Sequence, residues 1–224
     1  MQLIADRVRA ESRFVGTVRL ECQEESASGP LIGMGWILVG AGGHAKVVVE
    51  AAGPALGSVT AYIDPCPAAW LDVPRIERDD DIAAIPPHQP IVMGLGGITT
   101  DQLIKRLLLF DRYQRRGHPV PAVVHPSAYV SPAASLGAGA IVLTGAVIHP
   151  GVKVGRAVVV NTRAVIEHDT VVGDGAHLAP GAIVLGGARI GRSALIGAGA
   201  VVLPGAHVPD ESLVPALTRF GISA

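Results

Sequence analysis

Aromatic residues make up only 4% of this 224-residue chain: two Trp, three Tyr and three Phe. A core built on large rings is excluded, and aliphatic side chains must fill the interior instead. Cysteine is nearly missing as well. Cys22 and Cys66 are the only two, too few for a disulfide framework, and they point to a reducing, cytoplasmic compartment. Neither sign of charge is in excess, with 18 basic and 19 acidic residues and a net charge of −1. That removes the electrostatic case for nucleic acid or a membrane surface as partner. No apolar run approaches the roughly 18 residues that a membrane span needs. Residues 1–33 mix charge with small polar residues and contain no continuous apolar segment, which argues against a signal peptide. This leader is expected to be disordered or a start-site artefact, with the working protein beginning near Met34.

What the chain does contain is a repeat. From Val124 to Val214 every sixth residue is aliphatic, through Val130, Leu136, Val142, Ile148, Val154, Val160, Ile166, Val172, Leu178, Val184, Ile190, Ile196, Val202 and Val208. In a chain that is 49% hydrophobic, chance gives such a run about once in 10^5. Four places after each of these sits a small residue, usually Ala, as at Ala140, Ala164, Ala176 and Ala200. Glycine recurs with period 18 at Gly137, Gly155, Gly173 and Gly191. A period of six fits neither a helix nor a plain strand. It fits a parallel β-helix of hexapeptide repeats, three short strands to a coil of eighteen residues. The aliphatic and small positions then form continuous inward ladders, and the recurrent glycine is expected at a tight corner for its backbone freedom.

Ahead of the repeat the pattern is α/β. Trp36–Val39 reads as a buried strand and Gly40-Ala41-Gly42-Gly43-His44-Ala45 as a glycine turn opening a helix. Val59–Ile63 is a second strand ending at Asp64. Gly40, Gly42 and Ala45 match the dinucleotide-type G-x-G-x-x-A pattern, in which bare backbone N–H groups at a helix start approach phosphate. Ile91–Met93 and a second glycine turn, Gly94–Gly97, precede a helix expected over Thr99–Gln114. The basic residues Lys105, Arg106, Arg112, Arg115 and Arg116 on it read as a solvated face. Pro119 and Pro121 mark the boundary. The expected organisation is therefore a Rossmann-like nucleotide-binding domain over 34–118, a β-helix over 119–214 and a tail over 215–224.

Within the repeat, Glu167-His168-Asp169 breaks the Ala/Gly/Val composition, and it follows the inward Ile166, so it faces out. An imidazole beside a carboxylate suits general-base work near neutral pH. No Cys or activated Ser stands close by, which favours direct transfer over an acyl-enzyme. His177 lies nine residues further on. No third His sits where it would complete a zinc site with these two, so no metal is expected.

The segments VGAGGHAKVV, YIDP, HPSAYVSP and above all VVNTRAVIEHDTVVGDGAHLAPGA resemble the sugar O-/N-acetyltransferases of the PglD/NeuD type, within the hexapeptide-repeat acyltransferases. The resemblance covers about Trp36 to Ser212. It implies a left-handed β-helix, a homotrimer, and acetyl-CoA as co-substrate in the groove between adjacent solenoids. His168 would be the general base and Asp169 the carboxylate that supports it, with Glu167 beside them. His177 and Ala198 would contact acetyl-CoA. Gly42, Gly43, His44, Asp64 and Gly96 would hold the nucleotide part of a nucleotide-linked sugar. Two departures stand out: Pro65 replaces an acid found in some relatives, and the ending ESLVPALTRFGISA differs from the family's glycine-rich one. The implied activity is acetyl transfer to a sugar amine or hydroxyl; the alternative is a non-catalytic trimeric scaffold that binds nucleotide-sugars.

Overall fold

A computed structural model describes residues 35–78 and 85–221; the expectation for the leader, residues 1–33, lies outside the described residues. The N-terminal elements are β1 (Trp36–Val39), α1 (Gly43–Leu56), β2 (Val59–Ile63), β3 (Arg75–Ile76), β4 (Ile91–Met93) and α2 (Thr100–Arg115). Their four strands form one parallel sheet in the order β3-β2-β1-β4. A sheet covered on its faces needs strands that are apolar throughout. All four residues of β1 and all three of β4 are buried accordingly. Thr99 caps α2, its hydroxyl accepting from Gln102 N, and the helix buries Leu103, Arg106, Leu107, Phe110 and Tyr113 at helical spacing. Arg106 is thus on the inner face, only 2% exposed, which corrects its assignment to a solvated face. Arg112, Arg115 and Arg116 are exposed.

From β5 (Val123–Val124) two-residue strands recur every six residues through β6 (Tyr129–Val130) and β7 (Ser135–Leu136) to β21 (Arg219–Phe220). They form three parallel sheets, the faces of a solenoid with three strands per turn. The first face carries the strands starting at Val123, Ile141, Val159, His177, Leu195 and Leu213. The second starts at Tyr129, Val147, Val165, Ile183, Val201 and Arg219, and the third at Ser135, Lys153, Val171, Arg189 and His207. Stacked coils are in exact 18-residue register, as in Val165↔Ile183 and His177↔Leu195. The second residue of each strand points inward, and Val160, Ile166, Leu178, Val184, Ile196 and Val202 are fully buried with Ala164, Ala176, Ala182 and Ala200. Each branched side chain so buried contributes roughly 1.5–3 kcal/mol. The winding continues past Val214 to Phe220.

The period-18 glycines owe their place to stacking, which corrects the reason expected for them. None has a positive φ. A Cβ at Gly137 would lie 2.5 Å from Gly155 C, and one at Gly173 2.7 Å from Arg192 N, so a side chain would collide with the next coil. The left-handed residues come two places later in the hexad, at Gly139, Gly175, Gly187, Gly199 and others. Four coils place charge of alternating sign at one corner, Arg156, Asp174, Arg192 and Asp210. Asp174 accepts from Arg156 N at 2.7 Å, from its Nε at 2.9 Å and from its Nη2 at 2.7 Å. Arg156 also reaches Asp111 on α2 at 2.9 Å, tying the helix to that corner.

The two parts share a core. Phe110 and Tyr113 of α2 cluster with Val120 of the linker and with Val123, Ile141 and Val159 from the first face.

Candidate active site

The turn Glu167-His168-Asp169 lies at the corner between the second and third faces. His168 and Asp169 have side chains 65% and 75% exposed, and His168 Nδ1 is 2.9 Å from Asp169 Oδ2. A carboxylate only accepts, so Nδ1 carries the proton and the Nε2 lone pair is left free. Three local features build this pair. Asp169 occupies the left-handed position of its hexad, φ 60°, where the adjacent coils place Gly151 and Gly187. Asp tolerates this conformation, which Ala157, Arg163, Ser193, Glu211 and Leu217 also adopt at the same position of their hexads. Above the ring is Gly186, where a Cβ would stand 2.7 Å from both Cε1 and Nε2 of His168. The glycine leaves a seat for the imidazole. Below, His149 Nε2 lies 3.7 Å from Glu167 Oε1, so Glu167 faces the preceding coil while Asp169 faces His168.

His177 is elsewhere. It is on the first face, 5% exposed, with both ring nitrogens engaged. Nδ1 is 2.8 Å from Gly97 O and Nε2 is 3.0 Å from Asn161 Nδ2. The carbonyl requires a proton on Nδ1, so Nε2 accepts from the amide. The amide's own orientation is set by Oδ1, which accepts from Thr162 N at 2.8 Å. Burial, with Arg106 as the second cause, lowers the His177 pKa to about 4, consistent with this neutral tautomer. His44, whose ring centroid is 6.4 Å from that of His177, is lowered to about 4 for the same two reasons. Arg106 donates from Nη2 to Ala157 O at 2.6 Å and to Gly175 O at 3.1 Å. No carboxylate partners it among the described residues, and burial alone lowers it to about 10.

The glycine loop meets this junction. Gly40 has φ 83°, a conformation that favours glycine. Gly42 precedes α1 in an extended conformation open to any residue. A Cβ at Gly42 or Gly43 would touch nothing within 4 Å, so these two leave open space before the helix. Gly96 packs on His44, with a Cβ there 3.2 Å from its Cγ. Asp64 Oδ2 accepts from Ala41 N at 2.8 Å and Oδ1 from Cys66 N at 2.9 Å, so the acid braces the loop. Trp70 Nε1 donates to Ala41 O at 2.9 Å, with Lys46 Nζ 5.7 Å from its ring. Ala198 is exposed at the corner between the first and second faces. Within one chain, then, His44, Gly96 and His177 are gathered at one junction, and His168–Asp169 and Ala198 stand at two other corners.

Trp70 and Gly186 carry no signal in the sequence, Arg106 reads there only as part of a solvated helix face, and Asn161 is given no role. Asn161 had a signal, as a polar break next to the inward Val160. Among the described residues no group of three His, Cys, Asp or Glu could hold a metal. No described helix is long and apolar enough to cross a membrane.

The family model for bacterial transferase hexapeptide (six repeats) matches residues 169–204. PerB from Caulobacter crescentus, solved with CoA and GDP-perosamine, is similar at 31% identity and TM-score 0.77, over 87% of this chain and 91% of its own. The acetyltransferase domain of PglB from Neisseria gonorrhoeae, solved with acetyl coenzyme A, is similar at 30% identity and TM-score 0.74, over 81% and 87%. No curated protein sequence matches. The chain belongs to the sugar acetyltransferases of the hexapeptide-repeat superfamily. It is an enzyme of the acetyltransferase class.

Proposed function

We propose that this protein transfers acetyl from acetyl-CoA to the amine, or a hydroxyl, of a nucleotide-activated sugar, with His168 as general base. The observation that carries the reading is the exposed His168–Asp169 pair, held in a left-handed turn under the open seat of Gly186. The bound CoA and GDP-perosamine of PerB support both substrate classes. His168 Nε2 takes a proton from the acceptor as its nitrogen attacks the thioester carbonyl. Asp169 stabilises the imidazolium. The C–S bond then breaks, and the imidazolium returns its proton to the leaving thiolate, giving CoA thiol. Glu167, paired with His149, steadies the turn.

The nucleotide is read by the Rossmann-like domain ahead of residue 119, where Gly42, Gly43, His44 and Gly96 surround the open N-terminus of α1 and Asp64 holds the loop. The solenoid is left-handed and the working unit a homotrimer. The second face supports the assembly. Its outward residues Tyr129, Val147, Val165 and Ile183 form an in-register apolar column, whereas the first face is covered by the N-terminal elements and the third is polar. A neighbour on that column brings its own first-face elements and Ala198 corner towards His168, with acetyl-CoA between the solenoids. His177, with both nitrogens engaged inside its own chain, is suited to shaping the wall of that groove.

The direct test is His168→Ala, assayed by thiol release from acetyl-CoA with GDP- and UDP-linked 4-amino sugars. Loss of about 10^2–10^4 in kcat is expected. Turnover close to the parent enzyme would remove His168 from the mechanism.

A further inference from the structure

Four buried side-chain polar atoms have no hydrogen-bond partner among the described residues: His44 Nε2, Arg106 Nε, Arg106 Nη1 and Ser193 Oγ. All four belong to one seam, where α2 and the glycine loop pack on the solenoid. Arg106 crosses it, donating from Nη2 to Ala157 O and Gly175 O in consecutive coils. Ser193 follows in the same column one coil later, its Oγ 3.1 Å from where a Cβ of Gly175 would stand. His44 enters from the start of α1 and packs on Gly96, whose neighbour Gly97 is bonded to His177. His177 opens the strand that begins two residues after Gly175, and its ring centroid is 6.4 Å from that of His44.

The chemistry of these atoms is one-sided. The guanidinium nitrogens only donate, the serine hydroxyl can donate, and His44 Nε2 can carry the proton of the neutral ring. No described acceptor answers them. The charge is one-sided too. Arg106 is 2% exposed, and burial lowers it only to about 10, so it stays a cation at neutral pH. A buried cation is costly unless it is paired, and no described carboxylate reaches this one. The two imidazoles nearby are held neutral, first by burial and then by Arg106, and supply no counter-charge.

We infer that the seam binds one small monovalent anion, with chloride as its simplest member, against the guanidinium of Arg106. The ion accepts from an unpartnered N–H of Arg106, and His44 Nε2 and Ser193 Oγ are the neutral donors facing the same seam. One such charge balances one guanidinium. A nucleotide phosphate is a different ligand: Gly42 and Gly43 leave open space before α1, whereas Arg106 is enclosed and admits only a small ion. The inference therefore stands apart from the acetyl-transfer reading. Its consequence is mechanical: the ion removes the cost of burying the one side chain that ties α2 to two coils at once.

The test is thermal unfolding of the full chain at constant ionic strength, with sodium chloride exchanged for sodium gluconate, whose anion is too large for an enclosed site. Expected is a saturable rise in Tm with chloride, about 5–10 °C at a hundredfold excess over Kd. Arg106→Met keeps an unbranched apolar stem and removes the charge, and its Tm should not respond to chloride. Crystals of the parent grown from sodium bromide should show an anomalous peak in contact with the Arg106 guanidinium. That measurement needs no variant, so it decides the matter if Arg106→Met fails to fold. A parent Tm indifferent to chloride, a chloride effect of full size in Arg106→Met, or bromide absent from Arg106 each overturns the inference; a seam filled by water alone gives the first and the last.

Discussion

His177 on the solenoid donates from Nδ1 to Gly97 O in the second glycine turn, at 2.8 Å and across 80 residues of sequence. This bond fixes where the second glycine turn sits relative to the β-helix. Its geometry depends on Asn161, which holds the opposite ring nitrogen at 3.0 Å.

Replacing His177 by Phe keeps a ring of similar shape but leaves Gly97 O and the Asn161 amide without partners. Each buried polar group so orphaned costs about 1–3 kcal/mol. The expected result is a lower urea midpoint with unchanged m-value, and a raised KM for the nucleotide-sugar with kcat largely retained. A raised KM for acetyl-CoA alone would show instead that His177 contacts the donor.

Acid should destabilise the protein early. His44 and His177 are each lowered to about 4 in the fold, first by burial and then by Arg106, against about 6.5 in an unfolded chain. Between these values the unfolded chain takes up protons that the fold refuses. The stability present above pH 6.5 therefore declines as pH falls and levels off below about pH 4. Chemical denaturation from pH 8 to 4 would record the decline, and His177→Phe should make it shallower. A flat profile would mean that both rings take up protons in the fold as readily as in the unfolded chain.

The apolar column on the second face predicts the assembly. Ile183→Lys puts a charge at its centre, on an outward position that the solenoid core does not use. Sedimentation should show monomers in place of the proposed trimers, circular dichroism should be unchanged, and transfer activity should be lost if the proposed site needs a neighbour beside His168. Full activity in a monomer would place the whole site within one chain.

The solenoid was legible because its burial follows one period. Once six separates the inward residues, Ile166 and its sixteen-member ladder are determined, and Glu167-His168-Asp169 must lie outside. The glycine ladder was visible but its cause was not, since the collision at Gly137 involves a backbone eighteen residues away. Arg106 was misread because the solenoid packs on a helix face that local patterning cannot distinguish from an exposed one. The His177–Gly97 bond joins two parts whose mutual placement no local pattern encodes. Arg156, Asp174, Arg192 and Asp210 carry a readable sign alternation at period 18, but four charges stand out less than sixteen aliphatic residues at period six.

The eighteen-residue register has one more consequence. Loss or gain of a single residue between Val123 and Phe220 would turn every later ladder position towards water and end folding beyond that point. Loss or gain of a whole turn would leave every pairing intact. Natural length variants of this domain should therefore differ by multiples of eighteen, or by loops that leave and rejoin at a corner.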